Sequence, residues 1–259
     1  MKYYVVDAFT DEIFKGNQAG VCLLEEFISD AVMQNIAMEN NLSETAFAVK
    51  RESYYDLRWF TPNTEIDLCG HATLATAFII FNHTDYDKKT VRFMTKSGEL
   101  TVEMKDSLLE MDFPSRDPIA TQITTQMEEA LGVRILEAYE SRDLLLRIES
   151  EDMLKNLVPN MTLLAELSDW FGVIVTAKGN EVDFVSRYFA PRAGINEDPV
   201  SGSPHCNLIP FWSKRLNKNT MIAKRLSFRT GTLYCENAGE RVKIAGKAVL
   251  YLKGEILVD

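Results

Sequence analysis

The chain contains one phrase twice, as RWFTP at residues 58–62 followed by CGHA at 69–72, and as RYFAP at residues 187–191 followed by SGSP at 201–204. Each copy joins an arginine, two aromatic residues and a proline to a short run of small residues that includes a glycine. We therefore predict that the chain consists of two related halves.

The spacing of the two copies supports this prediction. The two arginines lie 129 residues apart, and Gly70 and Gly202 lie 132 residues apart. A strand-like segment with a glycine turn follows each copy, and its glycines, Gly98 and Gly231, are 133 residues apart. A chance match of one short phrase would not bring these downstream features along in register.

The two loops of small residues are the first candidate for a binding site. Each loop places a glycine, Gly70 or Gly202, just before an apolar helix, where free backbone N–H groups and the positive end of the helix dipole attract anions. If the halves face each other, the loops meet across a cleft that binds a carboxylate. The alternative is that the glycines only permit a tight entry into each helix.

Composition and charge exclude some classes of function. At 259 residues, the chain is long enough for one large domain or two small ones. A formal net charge of −10 provides no positive field, so neither a nucleic acid nor an anionic membrane is expected as partner.

The N-terminal segment predicts the location of the protein. Its apolar stretch ends at an acidic residue, Asp7, and is too short for a signal peptide or a membrane span. A cytoplasmic location is therefore expected. Free thiols are expected at all four cysteines, Cys22, Cys69, Cys206 and Cys235.

The pattern of apolar residues predicts an α+β fold with two similar pseudo-symmetric domains. Each domain is expected to be a mostly antiparallel, barrel-like sheet around one central helix, at residues 71–81 and 205–212. Pro210 is expected to kink or shorten the second helix. The first domain is predicted to span residues 1–113, with the last strand, about residues 248–259, returning to it, and the second to span residues 114–259.

Glu44 is the best isolated candidate for acid/base chemistry. Asn41 is predicted to end the preceding helix, so Glu44 falls where helix gives way to strand, among apolar or small neighbours. Such surroundings suit a carboxyl group to take and return protons near neutrality. The alternative is a glutamate that caps a local backbone N–H. His71 begins its helix, where the dipole favours a neutral imidazole.

A metal ion and nucleotide cofactors are not expected. Cys69, His71, His205 and Cys206 would form a Cys2His2 set if the loops met, but their spacings are tighter than zinc sites usually use. No phosphate-binding glycine motif occurs. The prediction is therefore a site without metal or cofactor.

Six phrases resemble the phenazine-biosynthesis PhzF-like family, in the order of that family and over nearly the whole chain. They are DAFT at residues 7–10, FKGNQAGV at 14–21, NLSETAF at 41–47, WFTP at 59–62, DLCGHATLA at 67–75 and EDPVSGSPHC at 197–206. The family is similar in fold to diaminopimelate epimerase, and its members are commonly homodimers. Its best-known member isomerises trans-2,3-dihydro-3-hydroxyanthranilate by moving a proton without metal or cofactor.

The resemblance implies a role for each matching residue. Glu44 would be the general acid/base. His71, Asp198 and Ser203 would bind and orient the substrate, with Gly70 and Gly202 at the helix ends. Two departures stand out: Ser201 occupies the position of the second cysteine of the diaminopimelate epimerases, and Pro204 stands where alanine is expected.

The sequence thus predicts a cofactor-independent isomerase that moves a proton on a small carboxylate-bearing substrate similar to dihydro-hydroxyanthranilate. Two alternatives stay open. One is an amino-acid epimerase that uses the single cysteine Cys69. The other is a small-molecule-binding module with this fold and no catalytic activity.

Overall fold

The structure is a computed structural model, and it describes residues 1–258. It divides the chain into two compact units, one formed by Met1–Asp112 with the segment from Ala245 onward, the other by Phe113–Ile244. Asp259, the last residue of the predicted returning strand, lies outside the described residues.

Strands and short helices alternate along both units. The strands are β1 (Lys2–Ala8), β2 (Asn17–Leu24), β3 (Glu44–Lys50), β4 (Tyr55–Phe60), β5 (Glu65–Ile66), β6 (Thr90–Thr95), β7 (Gly98–Lys105), β8 (Leu108–Pro114), β9 (Ile119–Thr121), β10 (Glu137–Glu140), β11 (Leu144–Arg147), β12 (Val173–Lys178), β13 (Phe184–Phe189), β14 (Thr220–Arg225), β15 (Gly231–Ala238), β16 (Arg241–Gly246) and β17 (Ala248–Glu255). The helices are α1 (Asp30–Asn40), α2 (Gly70–His83), α3 (Thr125–Leu131), α4 (Glu151–Lys155), α5 (Met161–Glu166) and α6 (His205–Leu216), with a 3₁₀ turn at Pro191–Ala193.

In the first unit, the last strand pairs with the first. β1 lies antiparallel to both β17 and β2, and β2 is parallel to β3. β3 and β4 are antiparallel, β4 and β6 are parallel, and β6 and β7 are antiparallel. Parallel neighbours need a crossover, and α1 and α2 supply it for the two parallel pairs.

The second unit repeats this order of pairings. β10 lies antiparallel to β9 and β11, and β11 is parallel to β12 across α4 and α5. β12 and β13 are antiparallel, β13 and β14 are parallel across α6, and β14 and β15 are antiparallel. Gly98 and Gly231 each begin the second strand of the last pair. The predicted α+β fold of two similar, mostly antiparallel halves is confirmed.

One helix is buried in each unit. α2 packs against β1, β2, β3, β7 and β17, and most of its side chains are buried, as its apolar sequence predicts. α6 packs against β14 and β15. Within residues 1–258, every helix is too short or too polar to span a lipid bilayer.

Of the two effects expected of Pro210, a kink or a shortened helix, the shortening does not occur. α6 continues past Pro210 to Leu216, and Asn217 closes it in the left-handed conformation. Proline has no N–H for the carbonyl four residues earlier, which belongs to Cys206. That carbonyl instead accepts a hydrogen bond from the backbone N–H of Arg116 at 2.9 Å, so the helix continues without an orphaned acceptor.

The arginines of the two repeated phrases share two kinds of contact. Arg58 donates from Nε and Nη2 to both carboxylate oxygens of Glu65, at 2.7 and 2.9 Å. Arg187 binds Glu197 in the same way, at 2.7 and 2.8 Å. Each guanidinium also lies over the ring of the phenylalanine two residues later, 5.2 and 5.1 Å from its centre. These bidentate pairs fix the segment between each strand and the following buried helix.

We predict that Arg58→Met destabilises the protein by about 1 to 3 kcal/mol, because it leaves the mostly buried carboxylate of Glu65 without its bidentate partner. Arg92→Met is the matched control, since Arg92 also binds a glutamate seven residues later, at 2.6 and 2.9 Å. The side chains of Arg92 and Glu99 are 49% and 40% exposed, whereas those of Arg58 and Glu65 are only 19% and 15% exposed. Urea unfolding measures both variants, and an equal loss in the two would contradict the role of the buried pair.

Candidate active site

The end of α1 places Glu44 at the start of a buried strand. Ser29 caps the N-terminus of α1, and Asn41 ends the helix in the left-handed conformation, at a φ of 48°. The chain then turns into β3, whose first residue is Glu44, with only 8% of its surface exposed. The prediction that Glu44 lies where helix gives way to strand is confirmed.

The first turn of α2 brings His71 against Glu44. His71 Nε2 lies 2.9 Å from Glu44 Oε2, and both residues are buried. Among residues 1–258, Oε2 has no partner in hydrogen-bond geometry, so the contact with His71 is an ion-pair contact rather than an aligned hydrogen bond. Sequence reasoning proposed both residues and did not predict that they touch.

Two residues that sequence reasoning missed extend this contact. Asn17, at the start of β2, has its Nδ2 3.3 Å from His71 Nδ1. Ser43 donates from Oγ to Asn17 Oδ1, also at 3.3 Å. Both residues lie within phrases that carry the family resemblance, at residues 14–21 and 41–47, which was the available signal. They hold one ring nitrogen of His71 while Glu44 faces the other.

Cys69 lies beside the same imidazole, at the N-cap position of α2. Its Sγ is 3.5 Å from His71 Nδ1 and 4.0 Å from Nε2. The side chain of Thr73 donates to the Cys69 carbonyl at 2.5 Å, which fixes the start of the helix. Ligand atoms of Glu44, Cys69 and His71 all lie within 4.8 Å of one another. The expectation of free thiols is confirmed for all four cysteines.

The electrostatics of this cluster oppose the expected neutral His71. Burial lowers the pKa of His71, but the contacts with Cys69 and Glu44 raise it well above its usual range. Burial also raises the pKa of the Cys69 thiol, and Glu44 adds to the rise. The Cys69 thiol therefore keeps its proton near neutral pH, and the contact with Glu44 favours a proton on His71.

The two buried helices differ from the other four at their N-termini. Side chains of Ser29, Thr124, Ser150 and Asn160 cap α1, α3, α4 and α5. In the part of the chain that the structure describes, no side chain caps α2 at Cys69 or α6 at Pro204. Gly70 is the first residue of α2, and Gly202 lies just before α6. The start of α2 thus has no capping side chain among the described residues, as an anion site requires, whereas the N–H groups of His205 and Cys206 at the start of α6 donate to the carbonyls of Gly202 and Ser203, at 2.9 and 3.1 Å.

The second unit places Asp198, Gly202 and Ser203 in the loop before α6. Asp198 is half-buried, its N–H donates to the Tyr188 carbonyl at 3.0 Å, and its own carbonyl accepts from the fully buried Arg225 at 2.8 Å. Ser203 is also half-buried. Their predicted roles in substrate binding stay predictions.

His205 does not have the environment of a metal ligand. Its Nδ1 lies 3.0 Å from the Ser201 carbonyl, and the ring packs near Phe184. Burial and the charge of Arg225 lower the pKa of His205 to about 3, so the ring is neutral. The metal-ligating groups that the structure brings together are Glu44, Cys69 and His71, a different set from the Cys2His2 alternative.

Comparison with known proteins identifies the family. The sequence model of the phenazine biosynthesis-like protein family, PhzC-PhzF, matches residues 6–254. A protein of Pseudomonas aeruginosa named as an uncharacterized isomerase is 46% identical, over 99% of this chain and 98% of its own length. A crystal structure of a PhzF-family phenazine biosynthesis protein from Enterococcus faecalis is 52% identical, covers 99% of both chains and superposes with a TM-score of 0.98.

A more distant structure shows the fold alone. A predicted epimerase from Pseudomonas aeruginosa is 17% identical and superposes with a TM-score of 0.77, over 100% of this chain and 99% of its own. The fold is therefore shared with epimerase-like proteins, as the sequence predicts. With a family match over residues 6–254 and relatives about half identical along their whole length, this chain belongs to the phenazine biosynthesis-like protein family.

Proposed function

We propose that the protein is an isomerase that moves a proton on a small carboxylate-bearing substrate, with Glu44 as the general acid/base. The observation that carries this proposal is the buried Glu44 carboxylate 2.9 Å from the His71 imidazole. The isomerase name of the Pseudomonas aeruginosa relative supports the reaction class. The reaction would need neither metal nor cofactor.

The proposed step conserves all atoms of the substrate. Glu44 takes a proton from one carbon, the electron pair shifts along the substrate, and Glu44 returns the proton at a second carbon. A carboxyl group is suited to this work where burial excludes water. His71 lies against this carboxyl group, and the direction of its pKa favours the protonated ring.

Negative charge that develops on the substrate needs donors that are already in place. The first turn of α2 provides such donors beside Glu44, since no side chain of residues 1–258 caps it. We assign Gly70, His71, Asp198, Gly202 and Ser203 to substrate binding, as the family resemblance implies. The substrate class follows from the same resemblance and is a cyclic carboxylate similar to dihydro-hydroxyanthranilate.

A second candidate is epimerisation by Cys69. Its Sγ lies 3.5 Å from His71, close enough for the ring to take the thiol proton. Against this, burial and Glu44 raise the pKa of the thiol, which keeps it in the less reactive form. A catalytically silent binding module is the third reading, and it requires no buried carboxylate beside a histidine. The cytoplasmic location and the homodimer stay predictions from the sequence.

We predict that Glu44→Gln lowers isotope exchange by at least about 10²-fold, because an amide cannot carry the proton. The measurement is deuterium incorporation from heavy water into a panel of cyclic and amino-acid carboxylates, followed by mass spectrometry. Glu99→Gln, an exposed glutamate of the same unit, serves as the control and should match the wild type. Full exchange in Glu44→Gln would end the proposal, and an absence of exchange by the wild type across the panel would favour the binding module.

The cysteine alternative has its own test. We predict that Cys69→Ala retains exchange within about tenfold of the wild type, since the variant keeps Glu44 and His71 in place. The same panel and heavy-water assay measure it. A loss as large as that of Glu44→Gln would instead assign the proton transfer to the thiol.

A further inference from the structure

We propose that Arg225 is a positioning residue for the substrate, because its buried guanidinium group holds Asp198 in the loop before α6. This loop, residues 197–203, carries three of the residues assigned above to substrate binding, namely Asp198, Gly202 and Ser203. The proposal therefore rests on the proposed function. It adds a residue that acts through Asp198 rather than by touching the substrate.

Arg225 stands on a rigid part of the second unit. It is the last residue of β14, which pairs with β13 on one side and with β15 on the other. Its register partners are Ser186 in β13 and Gly231 in β15. The side chain is fully buried. A buried side chain on a strand that is paired on both sides is well suited to fix a loop in one conformation.

Both backbone polar groups of Asp198 are bonded to these strands. The N–H of Asp198 donates to the Tyr188 carbonyl in β13 at 3.0 Å. The carbonyl of Asp198 accepts from Nη2 of Arg225 at 2.8 Å. A hydrogen bond from a charged donor is stronger than one from a neutral donor. The two bonds fix the backbone of Asp198, and the backbone limits the rotamers that its carboxylate side chain can take.

The charges of Arg225 and Asp198 also favour each other. Burial lowers the pKa of Arg225, whereas the charge of Asp198 and, to a smaller extent, that of Glu197 raise it. An arginine keeps its proton in proteins, so the group is a buried cation. Glu197 is the bidentate partner of Arg187. Asp198 is therefore the main carboxylate that stabilises Arg225, and the same attraction draws the Asp198 side chain toward the guanidinium.

The cost of burying Arg225 argues against a role in stability alone. Within the part of the chain that the structure describes, its Nε and Nη1 have no hydrogen-bond partner. A buried charge with unsatisfied donors stabilises a fold less than an apolar side chain of similar size would. Stability alone thus does not account for an arginine at this position, whereas the bond to the substrate-binding loop does.

The first unit holds its corresponding segment with a neutral contact. There, Ser97 lies in the turn between β6 and β7 and donates from Oγ to the Asp67 carbonyl at 2.9 Å. Asp67 lies between Glu65, the partner of Arg58, and the buried helix α2. Ser97 is exposed and uncharged. The strand pair after the buried helix thus bonds the preceding segment in both units, but a buried cation does so only beside Asp198.

The test measures kcat and KM separately in the heavy-water assay, with the carboxylate of the panel that the wild type exchanges fastest. We expect Arg225→Met to raise KM at least about tenfold, because the Asp198 loop is no longer held. We expect kcat to stay within about threefold, because Glu44 and His71 lie in the first unit. Arg225→Lys keeps the charge without the planar group, so its KM should be intermediate.

Arg147→Met is the matched control. It removes a partly buried arginine of the same unit that binds Glu137 instead of the Asp198 loop. Its KM is expected to equal that of the wild type. An increase in KM as large as that of Arg225→Met would show a general effect of losing an arginine, and would overturn the proposal.

A double-mutant cycle separates positioning from a loss of stability. Asp198→Asn removes the carboxylate, and adding Arg225→Met to this variant is expected to change KM by less than about twofold. Equal increases in KM with and without the Asp198 carboxylate would mean that Arg225 does not act through Asp198. Arg225→Lys, taken through the same cycle, carries the test if Arg225→Met does not fold.

Hydrogen exchange of the backbone amides tests the contact without a substrate. Peptides that cover residues 197–206 should exchange at least about tenfold faster in Arg225→Lys than in the wild type, because the loop opens more often. Unchanged amide exchange overturns the proposal. If the wild type exchanges no carboxylate of the panel, the proposed function fails, and the amide measurement still decides whether Arg225 holds the loop.

Discussion

The first unit depends on one buried contact, in which the Glu44 carboxylate lies 2.9 Å from the His71 imidazole. Neither group is stable alone in an apolar interior, because each charge there needs a partner. The fold supplies the partner by ending α1 just before Glu44 and starting α2 just before His71. Asn17 contacts the other ring nitrogen of His71, and Ser43 donates a hydrogen bond to Asn17. The proposed proton transfer uses this pair because burial strengthens the electrostatic attraction between the two side chains.

Duplication explains how the fold positions two helix N-termini. Both units use the same order of strand pairings, and in both an arginine of the repeated phrase binds a glutamate on the way to the buried helix. Within residues 1–258, neither buried helix has a capping side chain, although α1, α3, α4 and α5 do. The two copies differ in the reactive groups: Cys69 has Ser201 as its counterpart, and His205 is neutral and bonded to backbone, whereas His71 faces a carboxylate. The two units therefore share a fold, whereas the pair of Glu44 and His71 lies in the first unit.

Much of this was predictable from local sequence. The duplicated phrase predicted the pseudo-symmetry, and the position of Glu44 followed from the helix stop at Asn41. What local patterns did not reveal were contacts between residues far apart in the chain. The pairing of Asn17 with His71 spans 54 residues, and the contact with Glu44 raises the pKa of His71, against the direction that its helix position alone favours. The continuation of α6 past Pro210 likewise depends on a distant N–H, that of Arg116.

The most direct test of the central claim is a crystal structure of Glu44→Gln with the carboxylate from the panel whose hydrogens the wild type exchanges. Because the reacting groups must lie in near contact before the proton moves, the account predicts that the substituted side chain at position 44 lies about 3 to 3.5 Å from the exchanging carbon. It also predicts that His71 lies beside that side chain. A complex in which Cys69 Sγ faces that carbon, with the side chain at position 44 turned away from it, would contradict the account.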